Sequence, residues 1–330
     1  MSVISTPSSR KLISIVSPIY RAEATVEELC EEITKALTPL DLDFEIILVE
    51  DGSPDNSWEK VCQIAETNAH VVGIQFSRNF GQHYAITAGI EAANGDWIGV
   101  LDCDLQDHPK HLASLIERIE EGYDIVFARR QNKQHGAVRG FFSAAFAQML
   151  NLLTDFEHDP SVGTFSIISR QVANAFLEYG ESMRSYTILL LHMGFRKGYV
   201  DIPHEQRKDG GSSYSIGKLF QVMIASTISY TERPLQAISI AGLLIALGSF
   251  FSSIYYAVGT LFYERPLGWS SLIVAILLST GLILSSMGVI GLYLGKALKE
   301  SLNRPLYHVR SRVGRTDVAR LDVSQIAKSN

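Results

Sequence analysis

Two long runs without a charged residue constrain this chain more than any other feature of its sequence. Residues 234–263 and 266–295 contain no Asp, Glu, Lys or Arg, and only Glu264 and Arg265 separate them. Each run is 30 residues long, whereas a helix needs about 20 residues to cross the hydrocarbon core of a bilayer. Core helices of soluble domains rarely lack charge over such a length. The sequence therefore predicts two membrane-spanning helices that are joined as a hairpin.

The charges around these runs predict the orientation of the hairpin. Residues 296–330 carry eight Lys and Arg side chains against three acidic ones. Because basic segments beside a span remain in the cytoplasm, we expect both termini and the large N-terminal region on the cytoplasmic side of a plasma membrane. The chain starts without the apolar core of a signal peptide. A formal net charge of −6, with no basic stripe interleaved with aromatic residues, argues against a nucleic-acid partner.

Residues 10–130 alternate short β-rich runs with helical patterns. The predicted strands are 12–18, 44–50, 71–76, 97–104 and 124–130. The predicted helices are 23–37, 56–68, 83–93 and 109–121. This alternation is typical of an α/β fold with a mostly parallel sheet that is covered by helices on both faces. Ligands of such sheets bind beyond the carboxyl ends of the strands, so the segments after the strands are the candidates for a site.

Four parts of the chain follow from these patterns. We expect a cytoplasmic α/β domain, a juxtamembrane amphipathic helix, the membrane hairpin and a basic cytoplasmic tail, at residues 1–214, 215–233, 234–295 and 296–330 respectively. The two helices of the hairpin are expected at about 236–262 and 271–294. Small residues let helices approach closely in a membrane, and three glycines of the spans would support a homo-oligomer in this way: Gly242, Gly248 and Gly291.

Two carboxylates follow the fourth predicted strand, in the sequence D-C-D-L-Q-D. Asp102 and Asp104 are two residues apart, so their side chains would leave a strand on the same face. Adjacent carboxylates repel each other unless a cation lies between them, and hard oxygen ligands suit Mg²⁺ or Mn²⁺. Such a cation would neutralise the charge that grows on a diphosphate leaving group. Acidic pairs at strand ends also cap helices, so the pair by itself does not assign a reaction.

Three further segments lie at the ends of predicted strands or next to them: S-P-I-Y at 17–20, E-D-G-S at 50–53 and F-G-Q-H-Y-A at 80–85. No G-x-G-x-x-G follows the first strand and no P-loop sequence occurs, which disfavours a dinucleotide dehydrogenase or a P-loop NTPase. Together with D-C-D-L-Q-D, the segments resemble in order and spacing the family 2 glycosyltransferases. Within them they resemble the bacterial polyprenyl-phosphate branch, which includes bactoprenol glucosyltransferases and is related to dolichyl-phosphate mannose synthase.

The resemblance covers roughly residues 10–305 and implies a nucleotide-sugar-binding (GT-A) fold, a divalent metal and inversion at the sugar carbon. It implies that the metal, Mg²⁺ or Mn²⁺, is held by Asp102, Asp104 and Gln106. The residues expected to line the nucleotide-sugar site are Pro18, Tyr20, Glu50, Asp51, Gln82, Asp102 and Gln106. Those expected at the acceptor phosphate are Arg130, Arg139, Ser143, Arg207, Ser212 and Tyr214. Catalysis is expected from Asp102, Asp104, Arg130 and Arg139.

The chain departs from the family pattern at several positions. Glu50 stands where the family usually has an aspartate, and Ser213 replaces a lysine. The family often has G-D-F where this chain has Thr164 between Gly163 and Phe165, and a threonine cannot act as a base. The loss is tolerable if the acceptor is a phosphate, because its second pKa lies near 6 and it is largely dianionic at pH 7.

The resemblance implies transfer of a hexose from a nucleoside diphosphate sugar, with UDP-glucose as the first candidate, to undecaprenyl or another polyprenyl phosphate. The product would be a lipid-linked sugar monophosphate that serves cell-envelope glycan modification at a bacterial inner membrane. One alternative is a processive polysaccharide synthase, but none of the tryptophans, Trp58, Trp97 and Trp269, lies in the Q-x-x-R-W pattern of that class. The other is a non-catalytic membrane module that only binds nucleotide sugars.

Overall fold

The computed structural model describes residues 10–131, 161–179, 185–203, 269–302 and 304–314, together with individual positions between 235 and 251. The chain divides into two units. The first unit carries the residues that the sequence predicts to be catalytic, so we call it the catalytic unit; it comprises Met1–Ala147, Phe156–Ser212 and Pro305–Asn330. The second comprises Gln148–Asp155 and Ser213–Arg304.

An eight-stranded mixed sheet forms the centre of the catalytic unit. Its strands are β1 (Leu12–Ile19), β2 (Asp43–Glu50), β3 (Val71–Phe76), β4 (Trp97–Val100), β5 (Ile125–Gln131), β6 (Val162–Ser169), β7 (Lys197–Pro203) and β8 (Val309–Gly314). They lie in the order β7-β5-β6-β4-β1-β2-β3-β8. Strand β1 is parallel to β2 and β4, β2 is parallel to β3, and β5 is parallel to β7. Strand β6 runs antiparallel to both β4 and β5, and β8 runs antiparallel to β3.

Six helices of the catalytic unit lie among the described residues: α1 (Val26–Leu37), α2 (Ser57–Thr67), α3 (Gln82–Ala92), α4 (Leu112–Glu120), α5 (Arg170–Glu178) and α6 (Tyr186–His192). A 3₁₀ turn at Pro109–His111 precedes α4. Strand β1 is buried from Ile13 to Ile19 because helices cover both of its faces. Gly89 of α3 lies directly on Val16 of β1, and a Cβ at this position would collide with the valine side chain.

The predicted α/β class is confirmed, and the five predicted strands are all present. Four of them begin and end within one residue of the predicted bounds. The prediction of a strand over 97–104 was wrong in its length, because β4 ends at Val100 and the chain then turns. Strands β6, β7 and β8 were not predicted, and β6 and β8 make the sheet mixed. The last of these, β8, lies in the segment that was predicted only as a basic tail.

The second unit contains the long helix α7 (Trp269–Ser301). Its part Ser279–Leu298 has a mean hydropathy of 1.5 over 20 residues, and it is the one helix among the described residues that is long and apolar enough to cross a membrane. Large apolar side chains on it, such as Leu284 and Met287, are more than half exposed. The described positions between 235 and 251 are helical. The juxtamembrane helix predicted at 215–233 lies outside the described residues, and the two-helix hairpin stays a prediction.

Candidate active site

The site predicted at the carboxyl end of the sheet lies where three adjacent parallel strands end. Strands β1 and β2 are paired up to Ile19 opposite Glu50, and β4 pairs with β1 on the other side. The turns that follow these strands therefore meet at one edge of the sheet, and they carry Tyr20, Asp51 and Asp102. The sequence motifs were assigned to this edge from strand order alone, and the structure brings these three residues to it.

Asp51 anchors a loop of the site, Ser77–Gly81, which we call the donor loop. Its two carboxylate oxygens accept hydrogen bonds from the backbone N–H groups of Phe80, at 2.7 Å, and Gly81, at 2.9 Å. The side chain is buried, and this burial raises the pKa of Asp51 although the two donated hydrogen bonds act in the opposite direction. Asp51, which was expected to line the nucleotide-sugar site, thus holds the loop that follows β3.

The E-D-G-S segment forms the turn after β2 and packs closely against the donor loop. Gly52 has a φ of +63°, and a Cβ on it would collide with the backbone of Arg78 and Asn79. A side chain at position 52 would therefore be strained and would push the donor loop away. Glu50 is buried and accepts a hydrogen bond from the backbone N–H of Ser53, so it shapes the turn from within.

Tyr20 presents the exposed aromatic surface of the site. Its side chain is 44% exposed, and the guanidinium of Arg21 lies over its ring at 5.6 Å from the centroid. The backbone N–H of Arg21 donates to the Ser53 hydroxyl at 3.1 Å, which joins the turn after β1 to the turn after β2. Pro18 is buried within β1, opposite Val49 in register. A flat ring that remains exposed beside a polar turn can stack on a planar ligand.

Asp102 lies in the turn beyond β4, so the argument that it shares a strand face with Asp104 was wrong. Both of its carboxylate oxygens accept hydrogen bonds: the Gln82 side-chain amide donates to Oδ1 at 2.6 Å, and the Thr164 hydroxyl donates to Oδ2 at 3.0 Å. Burial, followed by the neighbouring charge of Asp104, raises the pKa of Asp102 from 3.8 to about 6. The two carboxylates therefore repel each other, as their spacing predicts.

The chemistry of these groups fits a divalent cation. Hard carboxylate oxygens that are forced together gain most when a cation neutralises them. No group of three or more His, Cys, Asp or Glu side chains that could hold a metal occurs in the part of the chain that the structure describes. A cation at Asp102 and Asp104 would therefore complete its shell with waters and substrate phosphate oxygens, which is how Mg²⁺ is commonly bound. Gln106 follows in the same turn and donates its backbone N–H to the Asp104 carboxylate at 3.2 Å.

Arg130, at the end of β5, forms a buried fork with Asp107. Its Nε donates to Oδ1 of Asp107 at 2.8 Å and its Nη2 donates to Oδ2 at 2.5 Å, and Asp107 is 2% exposed. The charges of Asp102 and Asp104 also favour the protonated guanidinium. Gly163 lies beside this side chain, and a Cβ there would be in ordinary contact with Nη2, at 3.4 Å. The pairing of Arg130 with Asp107 was not predicted from the sequence, although Asp107 lies in the D-C-D-L-Q-D segment.

The remaining residues expected at the acceptor phosphate lie outside the described part of the chain: Arg139, Ser143, Arg207, Ser212 and Tyr214. The neighbour of Arg130 in β5 is engaged elsewhere, because Arg129 forms a bidentate ion pair with Asp201 of β7 at 2.5 and 3.1 Å. The structure thus brings together the carboxylates, Gln82 and Arg130 at one edge of the sheet. The predicted acceptor residues beyond Arg130 stay a prediction.

Comparisons with known proteins identify the family of the chain. The chain matches the profile of glycosyl transferase family 2 over residues 14–177. An uncharacterised glycosyltransferase of Synechocystis sp. (strain ATCC 27184 / PCC 6803 / Kazusa) is 35% identical over 300 residues, which cover 90% of this chain and 94% of that protein. An undecaprenyl-phosphate 4-deoxy-4-formamido-L-arabinose transferase of Proteus mirabilis (strain HI4320) is 31% identical, with 92% and 94% covered.

Among solved structures, the mannosyltransferase PcManGT from Pyrobaculum calidifontis, in complex with GDP-Man and Mn²⁺, is 16% identical to the chain. The similarity has a TM-score of 0.45 and covers 90% of this chain and 87% of that one. Family membership itself rests on the profile match and on the two sequence relatives, which align with nearly the whole chain. The chain therefore belongs to glycosyl transferase family 2, and it is a glycosyltransferase with a GT-A α/β fold.

Proposed function

We propose that this glycosyltransferase moves one sugar from a nucleoside diphosphate sugar to undecaprenyl phosphate or a similar polyprenyl phosphate. The observation that carries the proposal is the pair of carboxylates, Asp102 and Asp104, beside Arg130 at the carboxyl end of the sheet. The acceptor is supported by relatives that are named for undecaprenyl phosphate and that align with more than 90% of the chain. Membership of the family argues against a module that only binds sugars.

The donor would bind over the turns after β1 and β2. The exposed ring of Tyr20 can stack on a base, and the donor loop held by Asp51 borders the same edge of the sheet. UDP-glucose is the first candidate donor. The relatives named for 4-deoxy-4-formamido-L-arabinose make a modified pentose the main alternative to a hexose.

A divalent cation, Mg²⁺ or Mn²⁺, held by Asp102 and Asp104 with Gln106 in the same turn, would supply positive charge to the diphosphate when it is bound. The reaction is a direct displacement. An oxygen of the acceptor phosphate forms a bond to the anomeric carbon while the bond from that carbon to the donor diphosphate breaks. The nucleoside diphosphate leaves with the electron pair, and the configuration at the sugar carbon inverts.

The residues of the chain contribute position and charge to this displacement. The fork of Arg130, held by Asp107, keeps a fixed positive charge beside the carboxylates. Gln82 and Thr164 fix the orientation of the Asp102 carboxylate through two hydrogen bonds. The acceptor phosphate is already largely ionised at pH 7, so the displacement needs alignment more than a base. Thr164 in place of the family aspartate is consistent with this requirement.

A polyprenyl acceptor requires that the enzyme works at a bilayer. The apolar helix segment Ser279–Leu298 supports a membrane anchor, since its length and hydropathy suit a span. Our proposal keeps the hairpin of spans near 236–262 and 271–294 in a bacterial inner membrane, with the catalytic unit and both termini in the cytoplasm. Self-association through the glycines of the spans is part of the same proposal.

The test is a transfer assay with the full chain in lipid nanodiscs that contain undecaprenyl phosphate. Labelled UDP-glucose, UDP-N-acetylglucosamine and UDP-4-deoxy-4-formamido-L-arabinose are supplied in turn with Mn²⁺, and label in the organic phase is counted. We expect transfer from one donor, and we expect Asp104→Asn to lower its rate by about 100-fold, as loss of a group that stabilises transition-state charge does. Asp43→Asn, at the opposite end of β2, is the matched control. Full activity of Asp104→Asn, or of the wild type in EDTA, would contradict the proposal.

A further inference from the structure

The chain returns to the catalytic unit after the long apolar helix. Residues from Pro305 onward belong to the catalytic unit although α7 does not. We call Pro305–Gly314 the return segment. Its strand β8 pairs antiparallel with β3, and the Ser311 hydroxyl donates to the Gln75 side-chain oxygen at 2.8 Å. A basic tail that only set membrane topology would need neither this pairing nor these side-chain contacts.

Two residues just before β8 contact the element that leads into the donor loop. The ring of Tyr307 stacks on Phe76, the last residue of β3, with centroids 4.8 Å apart and planes inclined by 18°. The Tyr307 hydroxyl donates a hydrogen bond to the carboxylate of Glu91 in α3. This tyrosine therefore joins the strand before the donor loop to the helix after it.

His308 contacts the donor loop itself. Its backbone carbonyl accepts a hydrogen bond from the N–H of Ser77 at 2.9 Å, and its ring lies edge-on to Phe80 with centroids 6.1 Å apart. Ser77 and Phe80 lie near the two ends of the donor loop. The return segment thus supports the donor loop from the outside.

The opposite side of the donor loop faces the site. Asp51 accepts the N–H groups of Phe80 and Gly81, and Gln82, the next residue, donates to Asp102. Three residues of chain therefore connect the contact with His308 to the carboxylate of the proposed cation site. Movement of Phe80 away from Asp51 would displace Gln82 as well, because the two lie within one short segment.

We propose that Tyr307 and His308 are positioning residues for the donor site, so the chain beyond the apolar helix is needed for binding of the nucleotide sugar. The inference rests on the proposed nucleotide-sugar site. The inference goes beyond that site, because it assigns a role in donor binding to a segment that follows the apolar helix in sequence. Neither residue touches the donor, and their effect passes through the donor loop.

The first test measures the donor loop without substrate. Hydrogen–deuterium exchange is followed in the full chain and in Tyr307→Ala, Tyr307→Phe and His308→Ala. We expect the amides of Phe80 and Gly81 to exchange about tenfold faster in Tyr307→Ala, because a stacked ring pair and a hydrogen bond together contribute about this factor. Peptides from α4 and β5 report global unfolding and are expected to stay unchanged. Unchanged exchange in the donor loop of both alanine variants would overturn the inference.

The second test separates donor from acceptor. With the active donor, Tyr307→Ala is expected to raise the donor KM about tenfold while the KM for undecaprenyl phosphate stays within twofold. Tyr307→Phe keeps the stacked ring and is expected to recover most of the affinity. Arg310→Ala, an exposed change on the same strand, is the matched control. Equal increases in both KM values, or a loss of thermal stability with donor KM unchanged, would overturn the inference.

The two tests also separate this inference from the proposed function. A wild-type chain that transfers no sugar from any donor would refute the proposed function, and the exchange measurement would still decide whether the return segment holds the donor loop. Active wild type with an unaffected donor KM in Tyr307→Ala and His308→Ala would refute the inference and leave the proposed function intact.

Discussion

Replacement of Asp102 by asparagine is expected to stabilise the protein without metal while it abolishes transfer. The wild-type carboxylate lies in a part-buried turn beside Asp104, and these two causes raise its pKa from 3.8 to about 6. The rise corresponds to about 3 kcal/mol, which the folded state loses when Asp102 is ionised. Asparagine has nearly the same shape and no charge, so it removes this cost.

Part of this gain in stability is offset by the loss of a hydrogen bond. The Thr164 hydroxyl can still donate to the side-chain oxygen of the introduced asparagine, but the asparagine amide nitrogen then faces the Gln82 amide nitrogen, so the hydrogen bond with Gln82 is lost. Loss of one such bond costs about 1 kcal/mol, which leaves a net stabilisation of about 2 kcal/mol. For a chain of this size this gain raises the melting temperature by roughly 3 °C.

The sign of the pH dependence follows from the raised pKa. The folded wild type binds the proton more tightly than the unfolded chain, so its stability falls as pH rises from about 4 to about 6 and stays lower above that range. The Asp102→Asn variant lacks this decrease. The two proteins should therefore be equally stable near pH 4, apart from the lost hydrogen bond, and should differ fully at pH 7.5.

Thermal unfolding in detergent with EDTA, from pH 4 to pH 8, measures this difference, and Asp43→Asn serves as a control for loss of an exposed charge. Added Mn²⁺ should raise the melting temperature of the wild type and leave Asp102→Asn unchanged, because ligand binding stabilises only a state that binds it. A variant that is no more stable than the wild type at pH 7.5 would refute the assignment of Asp102 as a destabilised carboxylate. A gain that persists unchanged at pH 4 would refute the electrostatic cause.

Three further outcomes are expected from the geometry of the site. Asp107→Asn leaves the guanidinium of Arg130 in a buried position without its partner, so thermal unfolding should show a loss of about 3 kcal/mol, and a loss below 1 kcal/mol would contradict the buried pair. Gly52→Ala should lower the free energy of unfolding by about 2 kcal/mol and weaken UDP binding in calorimetry, because φ is positive and a Cβ has no space. Unchanged values would contradict the close approach of Gly52 to the donor loop. Thr164→Val removes a donor that favours ionised Asp102, so the midpoint of pH-dependent Mn²⁺ binding should move upward, and a downward shift would contradict the contact.

Local patterns were sufficient for the strands of the first half of the chain. The run from Ile13 to Ile19 is apolar almost throughout, as a strand buried on both faces requires, and β1 lies between β2 and β4. Strand β6, V-G-T-F-S-I-I-S, is also largely buried, but its place between β4 and β5 depends on partners at least 33 residues away in sequence. No local pattern predicts that a strand lies between β4 and β5 and runs antiparallel to both.

Strand β8 shows how one pattern can support two interpretations. Its sequence, V-R-S-R-V-G, alternates half-buried residues with exposed arginines, which is the period of a strand with one solvated face. The same arginines count as positive charges beside a membrane span, and that interpretation explained them without a strand. Charged side chains are also common on edge strands, where they discourage further pairing. The arginines of β8 are therefore compatible with both interpretations.

The location of part of the candidate site could be predicted from the sequence, whereas the contacts of its side chains could not. The order of strands and motifs sufficed to place Tyr20, Asp51 and Asp102 at one edge of the sheet. The partner of each side chain depends on the turns, and turns are set by details such as the φ of +57° at Leu105. For this reason the ion pair between Arg130 and Asp107 could not be predicted from the sequence, although Arg130 was a predicted site residue and Asp107 lies in the D-C-D-L-Q-D segment.

The charges of these contacts determine what the site can bind. Asp102, Asp104 and Asp107 carry three negative charges when ionised and Arg130 carries one positive charge, which leaves a local charge of −2. A donor diphosphate is also negative, so it would be repelled from such a site. A divalent cation makes the local charge zero, and further positive groups are then needed to balance the diphosphate itself. The ion pair with Asp107 also fixes the guanidinium of Arg130 in place. Without this partner, the guanidinium would be attracted to the carboxylates of Asp102 and Asp104. The cation and the donor are therefore expected to bind as a pair, each favouring the other.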